Sequence, residues 1–146
     1  EVWHQAGRGF DAAQAAYAAA GVDARIEAFI DDMAVPYQWA DLVVSRAGAL
    51  TVAELAAVGV GAILVPLKNA IDDHQAGNAR HFASNGGGVV LTEDELTPRR
   101  LADELAKCLA DGDRLIAMAE AAQAQARDRV AATIAEACLA AAKGGA

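Results

Sequence analysis

The sequence predicts an α/β fold, a Rossmann-like parallel sheet flanked by helices. Short apolar runs, such as Leu42-Val43-Val44 and residues 62–65, alternate with alanine-rich stretches long enough for helices. The apolar runs are continuous, as strands buried on both faces require. Glycines and capping residues mark most of the junctions.

In chain order, residues 2–4 read as a strand and residues 10–20 as a helix that Gly21 ends. Residues 25–29 alternate and read as a second strand. Asp31 or Asp32 caps a helix through Trp39, kept short by Pro36. Residues 42–45 form a strand, and residues 50–58 a helix closed by Gly59. Residues 62–65 form the next strand, ended by Pro66. Asp72 or Asp73 caps a helix over residues 74–84, with Ala76, Ala79, Phe82 and Ala83 facing inward. Asn85 and three glycines turn the chain into a last strand, residues 89–91. Thr97 caps a helix with Pro98 at its first position, and Leu101, Leu105, Cys108 and Leu109 form its apolar stripe. Asp113 starts a final helical segment, residues 113–146. Its helix runs to about Ala142, bends near residues 127–129, and frays at the tail.

The 146 residues suit one domain with a real core. The apolar runs are far too short to span a bilayer, and no leader pattern opens the chain. The chain starts without Met, in what reads as a strand, which points to a segment of a longer protein. Cys108 and Cys138, on helix faces and without a CxxC pattern, read as buried thiols in a reducing compartment. A net charge of −8 speaks against nucleic-acid binding through this segment. His4, His74 and His81 form no zinc pattern, and Asp31-Asp32 lacks a third ligand, so no metal is expected. A GxSxG elbow is also absent.

Ligands of such sheets sit beyond the carboxyl ends of the strands. The residues there are His4 to Gly7, Phe29 to Met33, Ser45 to Gly48 and Pro66 to Gln75. Gly48 permits a tight turn, and the amides of Ala49, Leu50 and Thr51 would face an anion at a helix N-terminus. Arg46 adds positive charge, and Glu54, one turn on, suits ribose hydroxyls. The stretch Thr51-Val52-Ala53-Glu54 is also a capping box that needs no ligand. Spacing alone favours the cap, and the two roles are compatible. His74 and Gln75 open another helix toward the same cleft, and Gln75 both donates and accepts, as sugar hydroxyls demand. Position alone makes Gln75 a solvated first-turn residue. His4, at a strand end, is a further candidate.

Taken in order, Trp3-His-Gln-Ala-Gly7, Phe29-Ile-Asp-Asp-Met33, Trp39-Ala-Asp41, Arg46-Ala-Gly-Ala-Leu-Thr51 with Glu54, Leu64-Val-Pro66 and Asp73-His-Gln-Ala-Gly-Asn78 resemble one family. It is the bacterial undecaprenyldiphospho-muramoylpentapeptide β-N-acetylglucosaminyltransferases of peptidoglycan synthesis, and the resemblance lies in their C-terminal half. It implies a two-domain glycosyltransferase of the B fold whose C-terminal domain holds UDP-N-acetylglucosamine. By matching motif, the Ile30 backbone would read the uracil edge, with Phe29 and Met33 packing nearby. The amides of Ala49, Leu50, Thr51, Val52 and Ala53 would line the phosphate and ribose, and Glu54 would bind the ribose hydroxyls. Arg46 would lie close to the diphosphate, and Gln75 with His74 would contact the sugar.

The reaction implied is inverting transfer of N-acetylglucosamine to the lipid-linked muramoyl-pentapeptide, with UDP leaving and no cofactor. The resemblance places it on the cytoplasmic face of the inner membrane, as a peripheral protein. The family's acceptor domain, membrane surface and general base lie in an N-terminal half that these residues do not match, so no catalytic residue is expected here. The first strand of the donor domain is also unmatched. In strand order 3-2-1-4-5-6 that strand is central, so the segment alone is expected to be poorly stable and inactive. Other readings of the same residues are a nucleotide-sugar-binding module without chemistry, another UDP-sugar transferase of this fold, and an α/β domain with ordinary caps and no ligand.

Overall fold

The computed structural model describes residues 1–68, 73–127 and 130–144. Parallel strands alternate with helices as far as β5, and helices alone follow. The chain divides into two units, Glu1–Ala40 and Asp41–Ala146.

In the first unit, β1 (Val2–Gln5) and β2 (Ala24–Glu27) pair in parallel. A short 3-10 turn at Gly7–Gly9 leads into α1 (Phe10–Ala20), which Gly21 ends as expected. Alternation placed the second strand at residues 25–29. It ends at Glu27 because the ladder ends there, where Gln5 opposite is the last residue of β1. Helix α2 (Ala34–Trp39) has Met33 at its N-cap position. Asp32 still serves its start, since Oδ1 accepts from the Ala34 N–H at 3.0 Å. Pro36 sits in the first turn, where its missing N–H costs nothing. The Trp3 ring meets Trp39 edge-on at 5.7 Å, with the Arg25 guanidinium 3.7 Å over its face. Glu27 Oε1 accepts from Trp3 Nε1 at 2.9 Å and from Arg25 Nε at 2.8 Å, which ties β1 to β2.

In the second unit, β3 (Val43–Ser45), β4 (Ala62–Leu64) and β5 (Gly88–Val90) form a parallel sheet in that order. Residues 61–66 are all buried, which accounts for the unbroken apolar run through β4. The packing at β5 requires glycine at position 88, where a Cβ would lie 2.3 Å from the Ala62 carbonyl oxygen. Helices α3 (Ala49–Val58), α4 (His74–Ser84), α5 (Pro98–Leu109), α6 (Gly112–Gln123) and α7 (Val130–Gly144) complete the unit. Ile63, Val65, Leu91, Cys108 and Met118 form a core cluster, with Leu101, Leu105 and Leu115 against it. Burying one such side chain stabilises by about 1.5–3 kcal/mol. Ala79 and Phe82 of α4 are fully buried, as its periodicity predicted.

Several expectations fail in the helices. Helix α3 begins at Ala49 behind Gly48, so Thr51 lies inside the first turn and is not a cap. Asp73 occupies the N-cap of α4 in a left-handed conformation, φ 53°, with no side-chain capping bond; it pairs with Arg80 at 3.6 Å instead. The alternative cap, Asp72, lies outside the described residues. Asp111, not Asp113, caps α6, accepting from the amides of Asp113 and Arg114. The expected single C-terminal helix is two, α6 and α7, since α6 ends at Gln123. Residues 128 and 129, at the expected bend, lie outside the described residues. Cys108 is buried, but Cys138 is exposed, and so is Leu109. A stripe of spaced apolar residues says which side chains share a face, not what covers it. Among the described residues, no helix is long and apolar enough to cross a membrane.

Candidate functional site

Helix α3 springs from the end of β3 through Arg46-Ala47-Gly48. Ala47 is fully buried, and its carbonyl oxygen accepts from Asn78 Nδ2 of α4 at 3.0 Å. That bond sets the turn. Gly48 then brings the first amides of α3 to the strand end with extended backbone, φ −62° and ψ 148°, and no side chain caps them. Helix N-terminal N–H groups without a side-chain cap carry partial positive charge and favour an anion. Leu50 is exposed, Glu54 stands exposed on the following turn, and Thr51 and Val52 are half-buried. The capping-box alternative therefore fails: Thr51 lies three residues past the N-cap, Gly48, too deep to cap the helix.

Arg46 is held in place by its neighbours. Its Nη1 donates to the Val65 carbonyl at 3.3 Å and pairs with Glu93 Oε1 at 2.5 Å. Glu93 Oε2 accepts from the Lys68 N–H at 3.1 Å, and Lys68 Nζ pairs with Asp94 at 2.6 Å. The Lys68 N–H, and then the Arg46 guanidinium, hold the Glu93 carboxyl below the usual range. A carboxylate lowered in this way contributes above its ordinary pKa and is lost as pH falls through the lowered one. The pair is thus intact at neutral pH and yields only in acid.

Gln75 Oε1 accepts from the Leu67 N–H at 3.0 Å, which folds the loop after β4 back onto α4. Gln75 is thus a half-buried loop anchor rather than a solvated side chain, and its amide nitrogen remains a donor. His74 beside it is exposed. A cleft of roughly 240 Å³ is lined by Pro66, Leu67, Lys68, Arg80, Thr92 and Glu93 among others; Arg46, Glu54, His74 and Gln75 are not in its lining. In the second unit Arg46 and the amides of residues 49–53 follow β3, Glu54 lies on the next turn of α3, and His74 and Gln75 open α4.

Phe29, Ile30 and Met33 belong to the first unit, just after β2. Ile30 is buried, and its N–H donates to Gln5 Oε1 at 2.8 Å, so only its carbonyl remains to meet a base edge. Phe29 is 71% exposed, an open aromatic face rather than a packed one, and Met33 is half-buried. His4 packs edge-on against Tyr17 at 5.8 Å, a structural contact on α1. Among the described residues, no group of three or more His, Cys, Asp or Glu could hold a metal. Glu93 and Asp94 were missed in the sequence, and Lys68 was included only as part of the strand-end stretch Pro66 to Gln75. Glu93 follows β5 as Arg46 follows β3, so applying the strand-end rule to the fifth strand would have found it.

The profile of the glycosyltransferase family 28 C-terminal domain matches residues 1–136. A protein of Nitrosococcus oceani named UDP-N-acetylglucosamine–N-acetylmuramyl-(pentapeptide) pyrophosphoryl-undecaprenol N-acetylglucosamine transferase is 54% identical over 99% of this chain. One of the same name from Azoarcus sp. is 55% identical over 94% of it. The crystal structure of MurG from Acinetobacter baumannii superposes with a TM-score of 0.84 at 37% identity, covering 92% of this chain and 41% of that one. The chain spans 40% and 38% of the length of the two named relatives. With parallel sheets flanked by helices and a family match along nearly its whole length, the chain belongs to glycosyltransferase family 28, in the C-terminal domain of that family.

Proposed function

We propose that the chain is the donor half of a longer transferase that moves N-acetylglucosamine from UDP-N-acetylglucosamine to a lipid-linked muramoyl-pentapeptide, with inversion at the sugar. The observation that carries this is identity above 50%, across almost the entire chain, to proteins named for that reaction. The geometry supports it. The first amides of α3, with Arg46 behind them, suit a diphosphate, and a departing UDP needs that stabilisation in the transition state. Glu54 would take the ribose hydroxyls, and Gln75 Nε2 with His74 would meet the sugar. The Ile30 carbonyl and the open face of Phe29 would meet uracil.

The acceptor site and general base would belong to another part of the transferase, so this chain by itself is expected to be poorly stable and inactive. An acceptor built on undecaprenol is a membrane lipid, so the protein would work as a peripheral protein on the cytoplasmic face of the inner membrane.

Calorimetric titration of UDP-N-acetylglucosamine into the full-length protein, with UDP-glucose as control, tests this. Glu54→Ala should weaken the donor about tenfold or more, the scale of a lost hydrogen bond to a charged group. Gln75→Ala should erase the preference between the two sugars. Equal wild-type affinity for both sugars, or a Gln75→Ala variant that still discriminates, would remove the sugar contact.

A further inference from the structure

The Arg46–Glu93 pair joins the end of β3 to the loop after β5, and nothing in the donor reading above uses Glu93. Its two carboxylate oxygens have separate partners. Oε2 is fixed by the Lys68 N–H, a backbone group on the loop after β4. Oε1 meets Arg46 Nη1, which also reaches the Val65 carbonyl. One carboxylate therefore links the ends of all three strands of the second unit. Among the described residues, both contacts of the guanidinium fall on Nη1. The fork carries other N–H donors besides Nη1, and Arg46 as a side chain is half exposed. A long, flexible arginine gains most as an anion ligand when its orientation is already set.

We propose that Glu93 is a positioning residue of the donor site: anchored by Lys68, it holds Arg46 so that the other N–H donors of the guanidinium meet the diphosphate of the nucleotide sugar. This rests on the donor reading above. Glu93 touches no ligand itself. Asp94 takes the Lys68 ammonium group, so Lys68 does not compete for the Glu93 carboxylate.

The test is a double-mutant cycle on UDP affinity in the full-length protein, read by calorimetry. Glu93→Ala should weaken UDP binding by roughly fivefold to tenfold, close to the effect of Arg46→Ala, as expected for two residues acting through one contact. The Arg46→Ala/Glu93→Ala variant should be no weaker than Arg46→Ala alone. Glu93→Gln keeps a single acceptor oxygen and turns an NH2 donor toward either the Lys68 N–H or Arg46, so the bridge is broken and the variant should be weakened much as Glu93→Ala is. The proposal is overturned if Glu93→Ala leaves affinity unchanged, if the losses multiply in the double variant, or if Glu93→Gln binds UDP like the wild type. Tighter binding by Glu93→Ala would also overturn it, because Glu93 would then be a rival of the phosphate for Arg46. A wild-type protein that ignores UDP would instead sink the donor site as a whole, and this proposal with it.

Discussion

Helices α3 and α4 start differently from α5 and α6. The first follows β3 after three residues and the second follows β4 after a longer loop, and among the described residues no side chain caps either one. The other two carry ordinary caps: Thr97 Oγ1 accepts from the Arg100 N–H at 3.1 Å, and Asp111 Oδ1 from two amides. Helix α5 is also laced by Glu104, whose side chain is 7% exposed and pairs with Arg100 and Lys107 at 2.9 and 3.0 Å. A side-chain cap contributes about 1 kcal/mol to a helix. It is present where helices serve packing and absent at strand ends, where a ligand's anion could take its place.

The largest test of that contrast removes both caps from the packing helices. Thr97→Ala with Asp111→Ala should cost about 2 kcal/mol in a denaturant melt of the full-length protein, the sum of two caps on separate helices. UDP affinity should stay within about twofold, since local packing far from a site is usually energetically independent of it. A matching loss of affinity would mean that the two kinds of helix are not separate in function.

The second test gives α3 the cap it lacks. A Cβ at position 48 would lie 3.7 Å from Thr51 Oγ1, an ordinary contact, and the backbone there is extended, so Gly48→Asp fits. As a cap, Asp exceeds Gly by only a few tenths of a kcal/mol, so stability should hold or rise slightly. Its carboxylate would occupy the place of the phosphate, and UDP affinity should fall roughly tenfold by charge and competition. Unchanged affinity would show that the phosphate lies elsewhere.

Much of this was legible in the sequence, for physical reasons. The run through β4 is apolar at every position because both faces are buried, and that pattern needs no tertiary information. Gly21 and Gly59 end their helices in the left-handed region, as their type predicts. The second strand was read too far, because a ladder stops where its partner stops. The gap between α6 and α7 carries no glycine or proline between residues 124 and 127, and its alanines continue a helical composition. At the candidate site, Arg46 and Gln75 were proposed from their places after strands, and Glu54 from its place one turn into α3. The bond from Leu67 to Gln75 and the Glu93 bridge were not. Both join residues on separate loops, and only the folded backbone sets those distances.

The smallest expected effect decides where α3 begins. In the capping-box reading Thr51 is the N-cap, and its replacement by Ala should cost about 1 kcal/mol. In the structure Gly48 holds that position, and the Val52 N–H already donates to the Gly48 carbonyl at 3.0 Å, closing the first helical turn. Thr51 is then an interior first-turn residue, and exchanging it for Ala removes a β-branched side chain that helices disfavour. Thr51→Ala should therefore move stability by less than about 0.5 kcal/mol in either direction. A loss near the full value of a cap would shift the helix start to position 51. It would also remove the amides of residues 49 and 50 from any anion site, since those residues would then precede the helix.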